Sequence, residues 1–192
     1  MSLPARLAPF LKQFDYGRER LITRLHDLSD DEYLWEPMPG CWSIHPREQS
    51  QASTPFGRGD WVMDFAQPEP VPPPVTTIAW RMCHLTNGFL HRADYVVGTA
   101  SLAWDDYAIA PTAQAAIASL NDAALKWRSA LSSATETALD QIGYSKYPWG
   151  LDRRLPFLEI VWWVNQELLS HGAEIALLRD LYRANLKNEG EE

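Results

Sequence analysis

Three ionisable residues lie in the middle of an apolar stripe in the last third of the chain. At helical spacing, Glu167, His171 and Glu174 continue a face that begins with Ile160 and Val164. Burying such polar groups is costly unless something compensates them. The spacing of Glu167 and His171 places their Cβ atoms roughly 5–6 Å apart on one helix face, which suits two ligands of one divalent metal ion. We therefore predict a metal site on this helix.

A third ligand has to come from elsewhere in the chain. The chain has five histidines, and His84 lies in the middle of another helical segment, with His91 two turns later on nearly the same face. The main apolar stripe of that segment is roughly 140° from His84 at 100° per residue, so His84 lies either on a second contact face or in solvent. The alternative to a metal is a buried Glu167–His171 ion pair between helices. Glu174 is expected to orient His171 or to contact substrate.

Four long helices are predicted to position these residues. Their apolar positions recur every three or four residues, and their approximate bounds are Pro4–Leu28, Thr76–Val97, Thr112–Ala134 and Pro156–Leu186. Ser29-Asp30-Asp31-Glu32 has the spacing of a capping box and predicts a short helical turn. This pattern favours an all-α, up-down four-helix bundle, in which sites are built from inward side chains on facing helices.

The connections predict one domain over residues 1–192 with a long irregular loop between the first two long helices. Residues 37–74 are rich in Pro, Gly, Ser and Gln, with short extended pieces expected around Cys41–Ile44 and Asp60–Phe65. A loop of this length is typical of a functional loop or lid. Residues 140–154 form a second loop, and residues 188–192 a frayed tail. The aromatic residues expected to roof the site are Trp42, Phe56, Trp61 and Phe65.

Composition excludes several classes of function. The net charge of −8, without a run of Lys or Arg, is a poor match to nucleic acid or to an anionic membrane surface. The N-terminus lacks the apolar core of a signal peptide, and no run approaches the ~20 apolar residues of a membrane span, so we expect a cytoplasmic protein. Arg179 and Asp180 are expected to form surface ion pairs. The Trp residues expected in the core or a pocket wall are Trp80, Trp127, Trp162 and Trp163.

A resemblance to a known family adds to these inferences. The segment from Glu167 to Asp180, ELLSHGAEIALLRD, resembles the last-helix motif of the DinB-like metal-binding bundles, especially the mycothiol-dependent maleylpyruvate isomerase type. Gly40–Ile44, Val75–Arg81 and the helix-two histidine are also similar to that superfamily. The resemblance implies a metal held by that histidine and by two last-helix residues four apart. The ligands that it implies here are His84, Glu167 and His171.

Two histidines and one carboxylate leave coordination positions open, as in catalytic metal sites. The set suits Zn²⁺, Ni²⁺, Fe²⁺ or Mn²⁺, with Zn²⁺ or Ni²⁺ favoured. The resemblance implies a low-molecular-weight thiol cosubstrate, such as mycothiol or bacillithiol, an electrophilic substrate and a homodimer. Our first hypothesis is a metal-dependent thiol S-transferase or isomerase in which Glu174 assists catalysis. The alternatives are a metal-activated hydrolase and a non-catalytic metal- or ligand-binding stress-response protein.

Overall fold

The computed structural model describes residues 3–189, with side chains as far as residue 186, and is mainly helical. No helix among these residues is long and apolar enough to cross a membrane. The predicted all-α bundle with a long loop before its second long helix is confirmed. In chain order the helices are α1 (Ala8–Arg24), α2 (Asp30–Leu34), α3 (Ile78–Val97), α4 (Ala113–Ser132) and α5 (Phe157–Glu189).

Side-chain caps explain where several helices begin. The Ser29 hydroxyl accepts a hydrogen bond from the Glu32 amide at 3.1 Å, which starts α2 at the predicted capping box. The Thr77 hydroxyl accepts from the Trp80 amide at 3.2 Å, so α3 starts two residues later than expected.

α1 ends earlier than predicted, before Asp27, whose φ of 61° leaves the helical region. α5 continues to residue 189; the rest of the tail expected to fray, residues 190–192, lies outside the described residues.

The long loop contains a short antiparallel hairpin, β1 (Ile44–Pro46) and β2 (Trp61–Met63), in which Ile44 lies opposite Met63. β2 lies within the extended piece predicted at Asp60–Phe65, whereas β1 shares only Ile44 with the piece predicted at Cys41–Ile44. The start of the loop is fixed to the start of α3, because the Trp42 amide donates to the Val75 carbonyl and the Thr77 amide donates to the Trp42 carbonyl, each at 2.9 Å. The loop is therefore a structured cover at one end of the bundle.

The core lies between four packed helices. α3 packs most extensively on α4 and also contacts α5, while α1 packs on α5 and α4. Phe14 of α1 meets Phe89 of α3 edge to face at 5.5 Å, and Trp127 of α4 is fully buried. The prediction that Trp162 fills the core or a pocket wall is wrong, because Trp162 is 54% exposed. Its neighbour Trp163 is partly buried and faces inward.

The prediction of surface ion pairs on α5 is half wrong. Asp180 pairs with Arg24 at the surface, as expected. The side chain of Arg179 is only 1% exposed and pairs with the buried carboxylate of Glu32 in α2. Asn165, which lies on the same side of α5 at helical spacing, is also buried and donates to the Phe10 carbonyl at 2.9 Å. Arg179 and Asn165 are buried because α1 packs on this part of α5, and α1 and α2 supply partners for their polar groups.

Candidate metal centre

Helix α5 presents Glu167, His171 and Glu174 on one face. Their intervals of four and three residues align them along the helix, as the sequence predicted. The side chains of Glu167 and His171 are 27% and 17% exposed, and that of Glu174 is 44% exposed. Buried apolar residues, including Val164 and Leu168, anchor the helix on either side of this group. The polar face therefore meets the bundle rather than open solvent.

Helix α3 supplies His84 through its second face, one of the two alternatives that the sequence left open. The imidazole of His84 stacks on the Trp80 indole with 7° between the planes and 5.1 Å between the centroids. The Trp80 Nε1 donates to the Asp64 carbonyl of the long loop at 2.8 Å, which fixes the indole. The His84 ring then meets His171 edge to face, with centroids 4.9 Å apart.

The three residues implied as ligands converge on one point. The Nε2 atoms of His84 and His171 lie 3.2 and 3.4 Å from the Oε2 atom of Glu167, and one donor atom from each residue lies within 4.8 Å of the others. Metal–ligand bonds of 2.0–2.2 Å place neighbouring donor atoms about 3.0–3.5 Å apart. Two imidazole nitrogens and a carboxylate oxygen all offer lone pairs, so this arrangement fits a cation at its centre.

The charges of the cluster also favour a cation. Burial raises the pKa of Glu167, but hydrogen bonds with His171 and His84 outweigh burial and lower this pKa to about 2. Burial lowers the pKa of His171, but its bonds with Glu167 and Glu174 outweigh burial and raise this pKa. The pKa of His84 is lowered, mainly by burial. Glu167 is thus ionised at neutral pH, and a metal ion bound there would replace the imidazole protons that these hydrogen bonds use.

Glu174 contacts His171, which fits the first of the two roles expected for it. Its Oε2 atom lies 2.6 Å from His171 Nδ1, so a proton on Nδ1 leaves the Nε2 lone pair directed at Glu167. The sequence reasoning missed Arg81, which donates a hydrogen bond to Glu174 and lies 3.1 Å from His171 Nδ1. Arg81 lies three residues before His84 in α3, and this helical spacing could have indicated that the two side chains share a face.

The other histidines do not reach the cluster. His91 is buried two turns further along α3, with its Nδ1 atom 2.9 Å from the Asn87 carbonyl. His45 pairs with Asp64 in the long loop, and His26 is exposed at the end of α1. Cys83 is buried and free, as expected of a packing residue. Of the five histidines, only His84 and His171 therefore lie where they could bind a metal ion together with Glu167.

A cavity of about 480 Å³ opens beside His84 and Glu167. Two of the predicted roof residues, Phe56 and Phe65, line it, whereas Trp42 packs behind Phe65 with ring centroids 6.0 Å apart. Trp61 does not line it. The other walls come from α3, α5 and two later loops, and their aromatic residues are Trp104, Tyr147, Trp149 and Trp163. The candidate centre thus faces an apolar chamber that is large enough for a small molecule.

Comparison with known proteins gives one match. A family model described as the DinB superfamily matches residues 13–175, a segment that includes His84, Glu167, His171 and Glu174. No curated protein and no solved structure matches the chain.

Proposed function

Because this chain belongs to the DinB superfamily, we propose that it is a metal-dependent enzyme that transfers a low-molecular-weight thiol to an electrophile, or isomerises a substrate by adding such a thiol. The observation that carries the proposal is the convergence of His84, Glu167 and His171 beside an apolar cavity. A metal site whose donors all came from the protein would need no such chamber.

The donor set is suited to reactivity. Three protein donors leave at least one position for an exogenous ligand, and imidazole with carboxylate suits Zn²⁺ or Ni²⁺. A divalent ion held by these three residues would lower the pKa of a bound thiol and so supply a nucleophile near neutral pH. Glu174, which itself accepts a hydrogen bond from Arg81, holds the His171 ring in the tautomer that binding needs.

The surrounding residues bind and shield the second substrate. The aromatic walls favour an electrophile with a flat, apolar body and keep water away from that body. Phe56 and Phe65 come from the long loop, so movement of this loop would admit the substrates and release the product. The long loop contacts α3 through the hydrogen bond from Trp80 to the Asp64 carbonyl. Because the Trp80 indole also stacks on His84, closure of the loop over the cavity is coupled to the position of the His84 ring.

The test is thiol consumption by purified, metal-loaded protein. With chlorodinitrobenzene, a carbon–sulfur bond forms, the carbon–chlorine bond breaks, chloride leaves and the thiol proton goes to solvent. We expect the metal-loaded protein to accelerate this reaction with mycothiol, bacillithiol or a related thiol, and His171→Ala to abolish the acceleration. The exposed His26 provides the control His26→Ala, which should leave it intact. No acceleration with any of these thiols would overturn the proposal.

Two further measurements on the purified protein distinguish the other functions considered. Ester or amide turnover without added thiol would indicate a metal-activated hydrolase, in which water replaces the thiol. Tight metal binding without turnover of either kind would indicate a non-catalytic metal-binding protein. The open cavity beside the donors favours the transferase, because hydrolysis needs water where these walls are apolar.

We also propose that the chain forms a homodimer through α5. Four large apolar residues fall within an arc of about 120° on this helix and are exposed: Trp162, Leu169, Leu177 and Leu181. An exposed stripe of this kind is typical of an association surface. Light scattering should give a dimer, and Leu177→Glu with Leu181→Glu should give a monomer. A monomeric wild-type chain at micromolar concentration would contradict the dimer.

A further inference from the structure

The cavity contains a buried polar side chain that lacks a partner. Asn87 of α3 is 2% exposed and lines the cavity one turn beyond His84. Neither Nδ2 nor Oδ1 of its amide has a hydrogen-bond partner among the described residues. Leaving such groups unpaired costs roughly 1–3 kcal/mol, and an apolar residue of similar size would avoid the cost. Asn87 is therefore expected to bond with something that enters the cavity.

A guanidinium lies in the same wall. The Arg92 side chain is 7% exposed, and its guanidinium carbon lies 4.8 Å from the ring centroids of both Tyr147 and Trp163. Its Nη2 atom donates to Asp152 at 3.2 Å, and the hydroxyl of Ser145 donates to the other oxygen of Asp152 at 2.7 Å. The two rings and the carboxylate hold the guanidinium in a fixed orientation.

One side of this guanidinium remains available. Within the part of the chain that the structure describes, Nη1 of Arg92 forms no hydrogen bond, although the residue lines the cavity. Gly88 lies beside it, and a Cβ atom there would lie 3.6 Å from Nη1. The absence of a side chain at Gly88 keeps this approach open. Two N–H donors, Arg92 Nη1 and Asn87 Nδ2, thus belong to one wall.

We propose that Asn87 and Arg92 bind the carboxylate of a small, planar organic acid, whose other end points towards His84 and Glu167. A carboxylate accepts two hydrogen bonds in one plane, and guanidinium is its preferred cationic partner. Arg92 lies eight residues after His84, about 12 Å along the helix axis, and long helical side chains lean back towards the N-terminus. An acid with an unsaturated or aromatic body fits between these ends against the aromatic walls.

The proposal specifies the substrate class of the proposed function and rests on that function for its catalytic meaning. In the transferase, the Asn87–Arg92 pair would fix the acid by its carboxylate and so present an electrophilic carbon to the nucleophile at the other end. Holding one end in this way lowers the entropic cost of reaching the reactive geometry. Binding of the acid, however, needs no metal and can be measured by itself.

The experiment compares cinnamate with its neutral counterpart cinnamamide on chelator-treated protein, by quenching of the tryptophan fluorescence from the cavity wall. We expect cinnamate to bind at least about tenfold more tightly. Asn87→Leu should remove most of this preference without lowering the melting temperature, because no hydrogen bond to protein is lost. The double variant Arg92→Met with Asp152→Asn should also remove it, and it avoids an unpaired buried Asp152.

His171→Ala is the control that separates this proposal from the metal site, because it removes a metal donor that does not line the cavity. It should retain the preference for cinnamate, so the acid site can stand where the proposed enzyme fails. Equal affinity for acid and amide in the wild type, or no binding of either, would overturn the acid site. So would an unchanged preference in Asn87→Leu, or a fall in its melting temperature, which would assign Asn87 a structural role.

Discussion

Arg179 and Glu32 form a bidentate ion pair across 147 residues of sequence, with Nε–Oε1 and Nη2–Oε2 distances of 2.7 and 2.9 Å. Their side chains are 1% and 4% exposed. The guanidinium also donates through Nη1 to the backbone carbonyls of Arg24 and His26. One side chain of α5 therefore fixes both the end of α1 and the short helix α2.

Removing one partner of this pair should be strongly destabilising. Arg179→Met leaves the buried Glu32 carboxylate with only the distant Arg183, at 4.0 Å, as a counterion, and we expect a loss of about 3–5 kcal/mol in the free energy of unfolding. Adding Glu32→Leu should restore most of it, with about 1–2 kcal/mol still missing because two carbonyls lose their donor. Urea denaturation measures both. Arg183→Met is the control: its Nε is 4.0 Å from Glu32 and its side chain is 47% exposed, so the loss should stay below about 1 kcal/mol.

Replacing either histidine of the cluster should abolish metal binding. We expect about one equivalent of Zn²⁺ or Ni²⁺ per wild-type chain after loading and dialysis, and less than about a tenth of that in His84→Ala and His171→Ala. Metal at 100 times its dissociation constant should stabilise the wild type by about 2.7 kcal/mol and leave these variants unchanged. Elemental analysis and thermal melts provide the readouts. Equal metal content in His26→Ala and the cluster variants would remove the proposed site.

Glu174→Gln should weaken metal binding without removing a donor. The amide carries no charge to hold the proton on His171 Nδ1, and Arg81 is then free to donate to that nitrogen. The proton would move to Nε2, which could no longer bind the metal. We expect a 10–100-fold loss in affinity, measured by competition with a chelating dye. Glu159→Gln, an exposed change in the first turn of α5, should have no effect; an equal loss there would argue for a general charge effect.

The hairpin of the long loop should lose stability as pH rises. The hydrogen bond with Asp64, at 2.9 Å, raises the pKa of His45, and Glu36 adds a smaller effect in the same direction. A pKa that is raised in the folded state gives stability that is fully present below the ordinary histidine pKa of about 6.5 and is lost as pH rises through the folded value.

The change His45→Gln isolates this contribution. In metal-free protein the wild type should exceed His45→Gln in unfolding free energy by on the order of 1 kcal/mol near pH 5.5, and the difference should shrink towards pH 9. Subtracting the two curves cancels the titration of the other histidines. A difference that stays constant with pH would mean that His45 remains uncharged against Asp64.

The sequence by itself determined the helices and the face of α5 that carries the site. Periodicity predicted four long helices, with most bounds within a few residues, and placed Glu167, His171 and Glu174 on one face. Such predictions succeed because the 3.6-residue repeat of a helix is a local property. The composition of residues 37–74 predicted the loop and the position of its second strand for the same local reason.

Only the tertiary structure decided which faces meet. Periodicity showed that His84 lay off the main apolar stripe, but only the position of α5 brought it to Glu167 instead of leaving it in solvent. Arg179 looked like a surface residue because its partner Glu32 is distant in sequence. The acid-binding wall combines α3 with residues from a later loop and α5. Contacts of this kind depend on how the helices pack, and no local pattern of residue types encodes that packing.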